Sequence, residues 1–270
     1  MQASRLRVKD LGTLDGEVLL FGGAASNLQA SQALLRLADR LEIPPARRIC
    51  TGDIVAYCGS PAETVRLLHR QCELVAGNCE KQLVAGAPQC GCGFVRGSAC
   101  DLLSHGWYSF ARDALGADEL VILAAAPDVI VFNVFGRRYA VIHGGLSDIS
   151  RYLWPCSPSA EFEHEVAALP DLLGPVDGVV AGHCGLAFER EVAGVRWINA
   201  GAIGMPPHDG RAMTRYVVLG RDGARIGRLS YDVAGAVAAM QSAGLVQGYE
   251  RTLVSGFWPS QEVLPAAMRR

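Results

Sequence analysis

The sequence predicts one α/β domain built on two sheets, and three observations carry that expectation. The first part of the chain alternates strand and helix, the second is a series of short β-branched runs, and no repeat, low-complexity run or linker separates them. A chain of 270 residues, half of them hydrophobic, is long enough to bury a sizeable core.

In chain order, EVLLF (17–21) reads as a buried strand, and NLQASQALLRLADRL (27–41) as a helix with Leu28, Leu34, Leu35, Ala38 and Leu41 on one face. Pro44 and Pro45 break the chain before the strand in RRICTGD. A second helix over PAETVRLLHRQ (61–71) leads to the strand CELVAG (72–77). Strand, helix, strand, helix, strand implies parallel pairing, with functional groups on loops at the carboxyl ends of the strands. The second part reads as DVIVFNV, RRYAVIH, DGVVAGH, LAFEREV, VRWINAG, TRYVVLG and ARIGRLSY, interrupted by a helix around SAEFEHEVAALPDLL. A closing helix near VAGAVAAMQSAG precedes a tail, about 245–270, that reads as irregular.

A formal charge of −2 gives no basic footprint for nucleic acid and no polybasic membrane patch. The start, MQASRLRVKDLG, lacks the apolar stretch of a signal peptide, and the most apolar window, LVILAAAPDVIVFNVF, is cut by Pro127, Asp128 and Asn133. The expectation is a cytoplasmic protein with no membrane partner. Nine cysteines is a generous count for that compartment, where disulfides rarely persist, so metal or thiol chemistry competes with simple burial.

Polar clusters follow four expected strands: TGDIVAY with Asp53, VAGNCEKQ with Asn78, Cys79 and Glu80, VIHGG with His143, and VAGHCGL with His183 and Cys184. Strands ending in Gly-Asp, Gly-Asn, His-Gly and Gly-His place short polar side chains at one rim of a sheet, where glycine lets the backbone turn tightly. A single Asp or His at a strand end is most often a turn residue. Four in this order point to a site.

The order and wording of these motifs resemble the calcineurin-like metallophosphoesterases, in particular the branch of small bacterial phosphodiesterases and phosphatases. That pattern runs Asp-x-His, Gly-Asp, Gly-Asn-His-Asp/Glu, a single His, then Gly-His-x-His. The resemblance spans about residues 16 to 231 and includes GDIVAYCGSP and INAGAIGMPPHDG. It implies a metallophosphoesterase-like β-sandwich of two mixed sheets flanked by helices, and hydrolysis of a small phosphorylated substrate, a phosphodiester or phosphomonoester. It also implies two metal ions at the carboxyl rim. Carried over residue by residue, one ion's ligands are complete: Asp53, Asn78, His143 and His183. The other ion keeps only the shared Asp53. In FGGAASN, Gly23 and Ala25 stand where the pattern has Asp-x-His, and Gly185 stands at the last His.

All three losses fall on one ion, so the resemblance implies a single-ion centre. Two imidazoles, a carboxylate and an amide oxygen suit Mn²⁺, Fe²⁺ or Zn²⁺. Cys79 replaces the His of Gly-Asn-His, which places it with Asn78 and His143 as a candidate catalytic group facing substrate or metal. A thiol is a poor general acid there.

The segment QCGCGFVRGSACD (89–101) departs from the pattern and reads as a glycine-rich, flexible insertion near 88–101. Its Cys90, Cys92 and Cys100, with Cys184, are expected either to bind a further Zn, Fe or Fe–S centre by folding over the vacated metal position, or merely to pack as reduced thiols. A non-hydrolytic metal- or redox-sensing protein on the same scaffold, or an inactive relative, is the competing function. Tyr57 and Arg96 are further candidates for phosphate contact, and His208 for a place near substrate. Cys50, Cys58, Cys72, Cys156, His69, His105 and His164 read as structural.

Overall fold

A computed structural model describes residues 6–270; residues 1–5, part of the opening segment assessed above for a leader, lie outside it. The strands are β1 (Val8–Thr13), β2 (Val18–Phe21), β3 (Arg48–Cys50), β4 (Glu73–Leu74), β5 (Val129–Val134), β6 (Arg137–Val141), β7 (Gly178–Ala181), β8 (Ala187–Val192), β9 (Val195–Ala200), β10 (Thr214–Gly220) and β11 (Gly223–Leu229). The helices are α1 (Leu28–Arg40), α2 (Pro61–Gln71), α3 (Asn78–Val84), α4 (Ala99–Ala114), α5 (Ala117–Ala125), α6 (Ser159–Ala167), α7 (Leu169–Leu173), α8 (Val233–Ser242) and α9 (Tyr249–Ser255). No helix among the described residues is long and apolar enough to cross a membrane.

One sheet has the order β11-β10-β2-β3-β4 and the other β1-β5-β6-β7-β9-β8. In the first, β2, β3 and β4 run parallel, as the strand and helix alternation predicts. In the second, β6, β7 and β9 run parallel. The sheets pack face to face, and strand alternation sorts their residues. Val18 and Leu20 point inward to meet Phe132, Val141, Val180 and Ile198 of the other sheet. Leu19 and Phe21 point outward to the cluster that includes Leu34 of α1 and Val65 of α2. On the outer face of the larger sheet, Trp197 and Val179 pack with Phe162 of α6. Emptying such a fully buried position, as in Leu20→Ala, costs about 2–5 kcal/mol.

Local chemistry sets the ends of the helices that approach the rim. Asn27 caps α1, its side chain accepting from the Ala30 N–H at 3.0 Å. Pro61 opens α2, where a missing N–H costs nothing. Ser98 caps α4 by accepting from the Asp101 N–H at 3.2 Å, so the segment read as an insertion ends inside a 16-residue helix.

Two sequence expectations need correction. The tail is not wholly irregular: it holds α9, ended by Gly256 at φ 75°, and it buries Leu253 and Leu264. The cysteine segment is not loose, because Cys90, Cys92 and Cys100 are all buried. Cys90 and Cys92 belong to the same apolar cluster as Leu34 and Val65. The polar, exposed strand β1, which pairs parallel with β5, carries no periodic apolar signal and is found only in the structure.

Candidate metal centre

The four clusters meet where the two sheets end. Asp53 follows β3, Asn78 opens α3 just after β4, His143 follows β6 and His183 follows β7. The turns that deliver them are tight. Gly52 has φ 102°, and a Cβ there would lie 2.7 Å from both the His143 Nδ1 and the Gly77 nitrogen. Asp53 and His183 themselves sit at φ 52° and 58°, a left-handed conformation that non-glycine residues adopt at a cost of about 1–3 kcal/mol. The surrounding hydrogen bonds hold them there.

Glu80 is the main fastening. Its carboxylate is fully buried and accepts from the backbone N–H groups of Asp53 at 2.9 Å, Val55 at 3.0 Å and Gly77 at 2.8 Å. One side chain therefore ties the Gly-Asp turn to the start of α3. Burial, and next the Asp53 charge, push Glu80 up to about 7, against the N–H donors that favour its ionised form.

Thr51 joins the sheets: its carbonyl lies 2.7 Å from His143 Nδ1. A carbonyl only accepts, so Nδ1 carries the proton and Nε2 presents a lone pair. That lone pair faces the Asn78 Oδ1 at 2.9 Å, the His183 Nδ1 at 3.1 Å and the Asp53 Oδ2 at 3.3 Å. The Asn78 amide is oriented by its other end, where Nδ2 donates to the Cys90 carbonyl at 3.0 Å and to the Cys92 sulfur at 3.4 Å. Its oxygen is therefore the atom turned to His143.

Acceptors converge here with too few protons to satisfy them. A proton on His143 Nε2 can bond well to one neighbour, whereas a cation can satisfy all of them. Four ligand atoms arranged tetrahedrally about 2.1 Å from one ion lie about 3.4 Å from each other. The separations from His143 given above, and the 3.8 Å between His183 Nδ1 and Asp53 Oδ2, surround that value. The donor set fits a divalent ion. Among the described residues, Asp53, His143 and His183 form the only group of three or more His, Cys, Asp or Glu whose ligand atoms all lie within 4.8 Å of one another.

The electrostatics agree. Burial opposes ionisation of Asp53, but the neighbouring His143 and His183 hold its carboxyl well below the usual carboxylate range. Its Oδ1 also accepts from the Cys79 N–H at 3.4 Å, at the positive end of α3, leaving Oδ2 for the cluster. Burial favours neutral His143, yet the Asp53 charge raises it, while burial lowers His183. His183 Nε2 is buried without a hydrogen-bond partner among the described residues.

The positions where the pattern has the other ion's ligands carry no ligating side chain and form part of the cleft wall. Gly23 donates to the Gly52 carbonyl at 3.0 Å and accepts from Gly204 at 2.8 Å, and a Cβ on it would lie 2.9 Å from the Ala202 Cβ. Gly185, at φ 73°, has the Trp258 ring and the Ala202 methyl as its neighbours. Here the FGGAASN loop is scaffold, stitched to the Gly-Asp turn and to residues 201–204.

Among the described residues no three cysteine sulfurs lie within 4.8 Å of one another. Cys79 does not line the cleft beside the centre: its sulfur is buried 3.9 Å from that of Cys92. The Cys79 sulfur lies 3.6 Å from Asn78 Nδ2, the end of the amide opposite the oxygen that meets His143. Cys90 meets the Cys92 N–H at 3.4 Å, and Cys184 accepts from Asn199 at 3.2 Å. Cys184 and Cys100 reach the cleft wall individually. Burial raises the thiol pKa of Cys184 to about 12 and leaves it a neutral packing group.

The cleft opens from Asp53 and His183 to solvent. Tyr57 lines it; Arg96 is exposed elsewhere. His208 is buried behind the wall, where its Nδ1 accepts from the Trp258 N–H at 2.8 Å. The sequence reading missed the contribution of the tail, which supplies Trp258, Pro259, Ser260 and Val263 to the cleft. The Trp258 indole donates to the Pro206 carbonyl at 2.7 Å and fixes that wall.

No family model and no curated protein matches the sequence. Solved structures do. A metallophosphoesterase from Sphaerobacter thermophilus is 21% identical, with a TM-score of 0.69 over 90% of this chain and 100% of that one. Hypothetical protein PH1004 from Pyrococcus horikoshii OT3 is 14% identical, with a TM-score of 0.71 over 90% of this chain and 99% of that one. The likeness establishes the fold, a metallophosphoesterase-like β-sandwich of two mixed sheets flanked by helices.

Proposed function

We propose that this protein is a phosphoesterase with a single-ion centre, in which Asp53, Asn78, His143 and His183 hold one Mn²⁺, Fe²⁺ or Zn²⁺. The observation that carries this reading is the convergence on His143 Nε2 of three further ligand atoms, with the imidazole tautomer and the amide orientation both fixed from behind. The fold it shares with a metallophosphoesterase supports it. Bound there, the ion would supply Lewis-acid polarisation of a phosphoryl oxygen and lower the pKa of a water.

The chain's own contribution is preorganisation. Asp53 provides the only carboxylate of the set and brings negative charge without needing a proton removed, since its neighbours keep it ionised. Thr51 keeps the His143 lone pair aimed inward. The Cys79 thiol, away from the cleft, takes no part in proton transfer to a leaving group.

The test is hydrolysis of a generic aryl phosphodiester by metal-free protein with Mn²⁺ or Fe²⁺ restored. Metal-dependent turnover is expected, and His143→Ala should lower it by at least about 10³-fold, the loss of an ion's worth of charge stabilisation. Equal turnover with and without metal would contradict the reading.

A second expectation concerns the fixing of Asn78. Cys92→Ala removes the sulfur that receives the Asn78 amide and should weaken metal binding about 10–100-fold, as loss of an outer hydrogen bond to a ligand does. Cys92→Ser keeps an acceptor and should recover most of the affinity. Competition titration against a fluorescent chelator reads both.

A further inference from the structure

The cleft beside the centre is not built for a polyanion. Among the described residues its lining includes no lysine or arginine, and Asp53 is the one acidic side chain. The end where the sequence pattern would place a second ion is made by Gly23, Ala25, Gly185 and Ala202, with no ligand atom but the neighbouring Asp53 and His183. From there the walls are Tyr57, Phe94, Tyr152, Met205, Tyr249 and Trp258. The rings are held in place. Tyr57 and Tyr249 lie 4.5 Å apart between centroids, Tyr152 lies 4.2 Å from the His183 ring, and Trp258 is tied to Pro206 and His208. A flat apolar group entering this space meets preformed aromatic faces next to the metal set.

Charge narrows the choice. A divalent ion with the Asp53 carboxylate has a net charge of about +1, the other ligands being neutral. A phosphodiester carries one negative charge and matches it. The phosphate chain of a nucleoside polyphosphate carries several, and its remaining charges would lose water with no cation among the lining residues to replace it.

We infer that the cleft binds phosphodiester monoanions with an aromatic ester group, which lies in the apolar space left by the missing ion and stacks against Trp258 and the tyrosines. The inference rests on the single-ion phosphoesterase reading and adds the substrate class. Trp258, reached only through the tail, is its specificity-determining residue.

The experiment compares methyl 1-naphthyl phosphate, dimethyl phosphate and a dinucleoside polyphosphate as substrates of the metal-loaded protein. Binding of ethyl hydrogen (1-naphthylmethyl)phosphonate, whose P–C bond replaces the scissile ester, is measured by calorimetry alongside. The naphthyl diester should have a kcat/KM at least about 100-fold above that of the polyphosphate. Trp258→Ala should raise KM for the naphthyl diester and weaken phosphonate binding about tenfold, with kcat within about threefold. Trp258→Phe keeps a ring and should recover most of the binding, so a folding defect in the alanine variant would not hide the result. Phosphonate binding that depends on Trp258, without turnover of any ester, would uphold the cleft assignment and remove the phosphoesterase reading. Turnover that favours the polyphosphate, or a KM indifferent to Trp258, would overturn the inference and leave the single-ion reading standing.

Discussion

Replacing Glu80 by alanine is expected to cost about 4 kcal/mol of folding stability and, with it, the metal centre. The arithmetic follows from the N–H groups of Asp53, Val55 and Gly77, each losing a carboxyl oxygen acceptor at 3.0 Å or less. An orphaned buried donor costs about 1–3 kcal/mol, and the partial relaxation of neighbours keeps the total below the sum. Glu80→Gln retains one carbonyl oxygen but turns an amide N–H against an N–H donor, so about half the loss is expected. Urea denaturation with an unchanged m-value reads the difference. Because the Asp53 turn is held at φ 52° by these bonds, metal affinity should fall in both variants in the same order. A Glu80→Ala protein as stable as the wild type would show that the turn is held by other contacts.

The second large effect concerns Gly23. Gly23→Asp supplies the carboxylate that the sequence pattern would have there, yet the expected result is damage and no second ion. Gly23 has φ 41°, and its Cβ would stand 2.9 Å from the Ala202 Cβ, a methyl with no rotamer to move away. Backbone strain and overpacking each cost about 1–3 kcal/mol, so a loss of about 3 kcal/mol is expected. Adding Ala25→His should not rescue it, because Ala25 is buried with room for little more than its methyl and Gly185 still offers no side chain. Thermal midpoint and metal content of the double variant check this. A second ion bound at unchanged stability would mean that neither the backbone nor the Ala202 contact requires glycine at position 23.

How far the sequence anticipates this molecule depends on whether a feature is local. Strand β2 is legible because it is buried on both faces, Val18 and Leu20 toward one core and Leu19 and Phe21 toward another, and so reads as an unbroken apolar run. The places of Asp53, Asn78, His143 and His183 are legible because each follows a buried run with a glycine beside it. Helix α4 carried a readable start in Ser98 and Asp101, but the glycine and cysteine content around it masked the signal. Cys79 stands where the pattern has a His, but its short side chain packs its sulfur 3.9 Å from that of Cys92 and does not line the cleft, a placement that the motif alone does not reveal. The cleft wall was out of reach for a different reason. Trp258 lies some 55 residues beyond Gly204 in sequence, and only the bonds to Pro206 and His208 bring its ring to the centre. The cysteine segment likewise shows its role only once Asn78 is seen to donate to Cys90 and Cys92.

The central claim, one ion held by Asp53, Asn78, His143 and His183, is tested most directly by metal stoichiometry. Protein loaded with excess Mn²⁺ or Zn²⁺, desalted, and measured by plasma mass spectrometry should hold one ion per chain, and His183→Ala should hold none under the same treatment. Two ions per chain in the wild type, or one ion retained by His183→Ala, would contradict the claim.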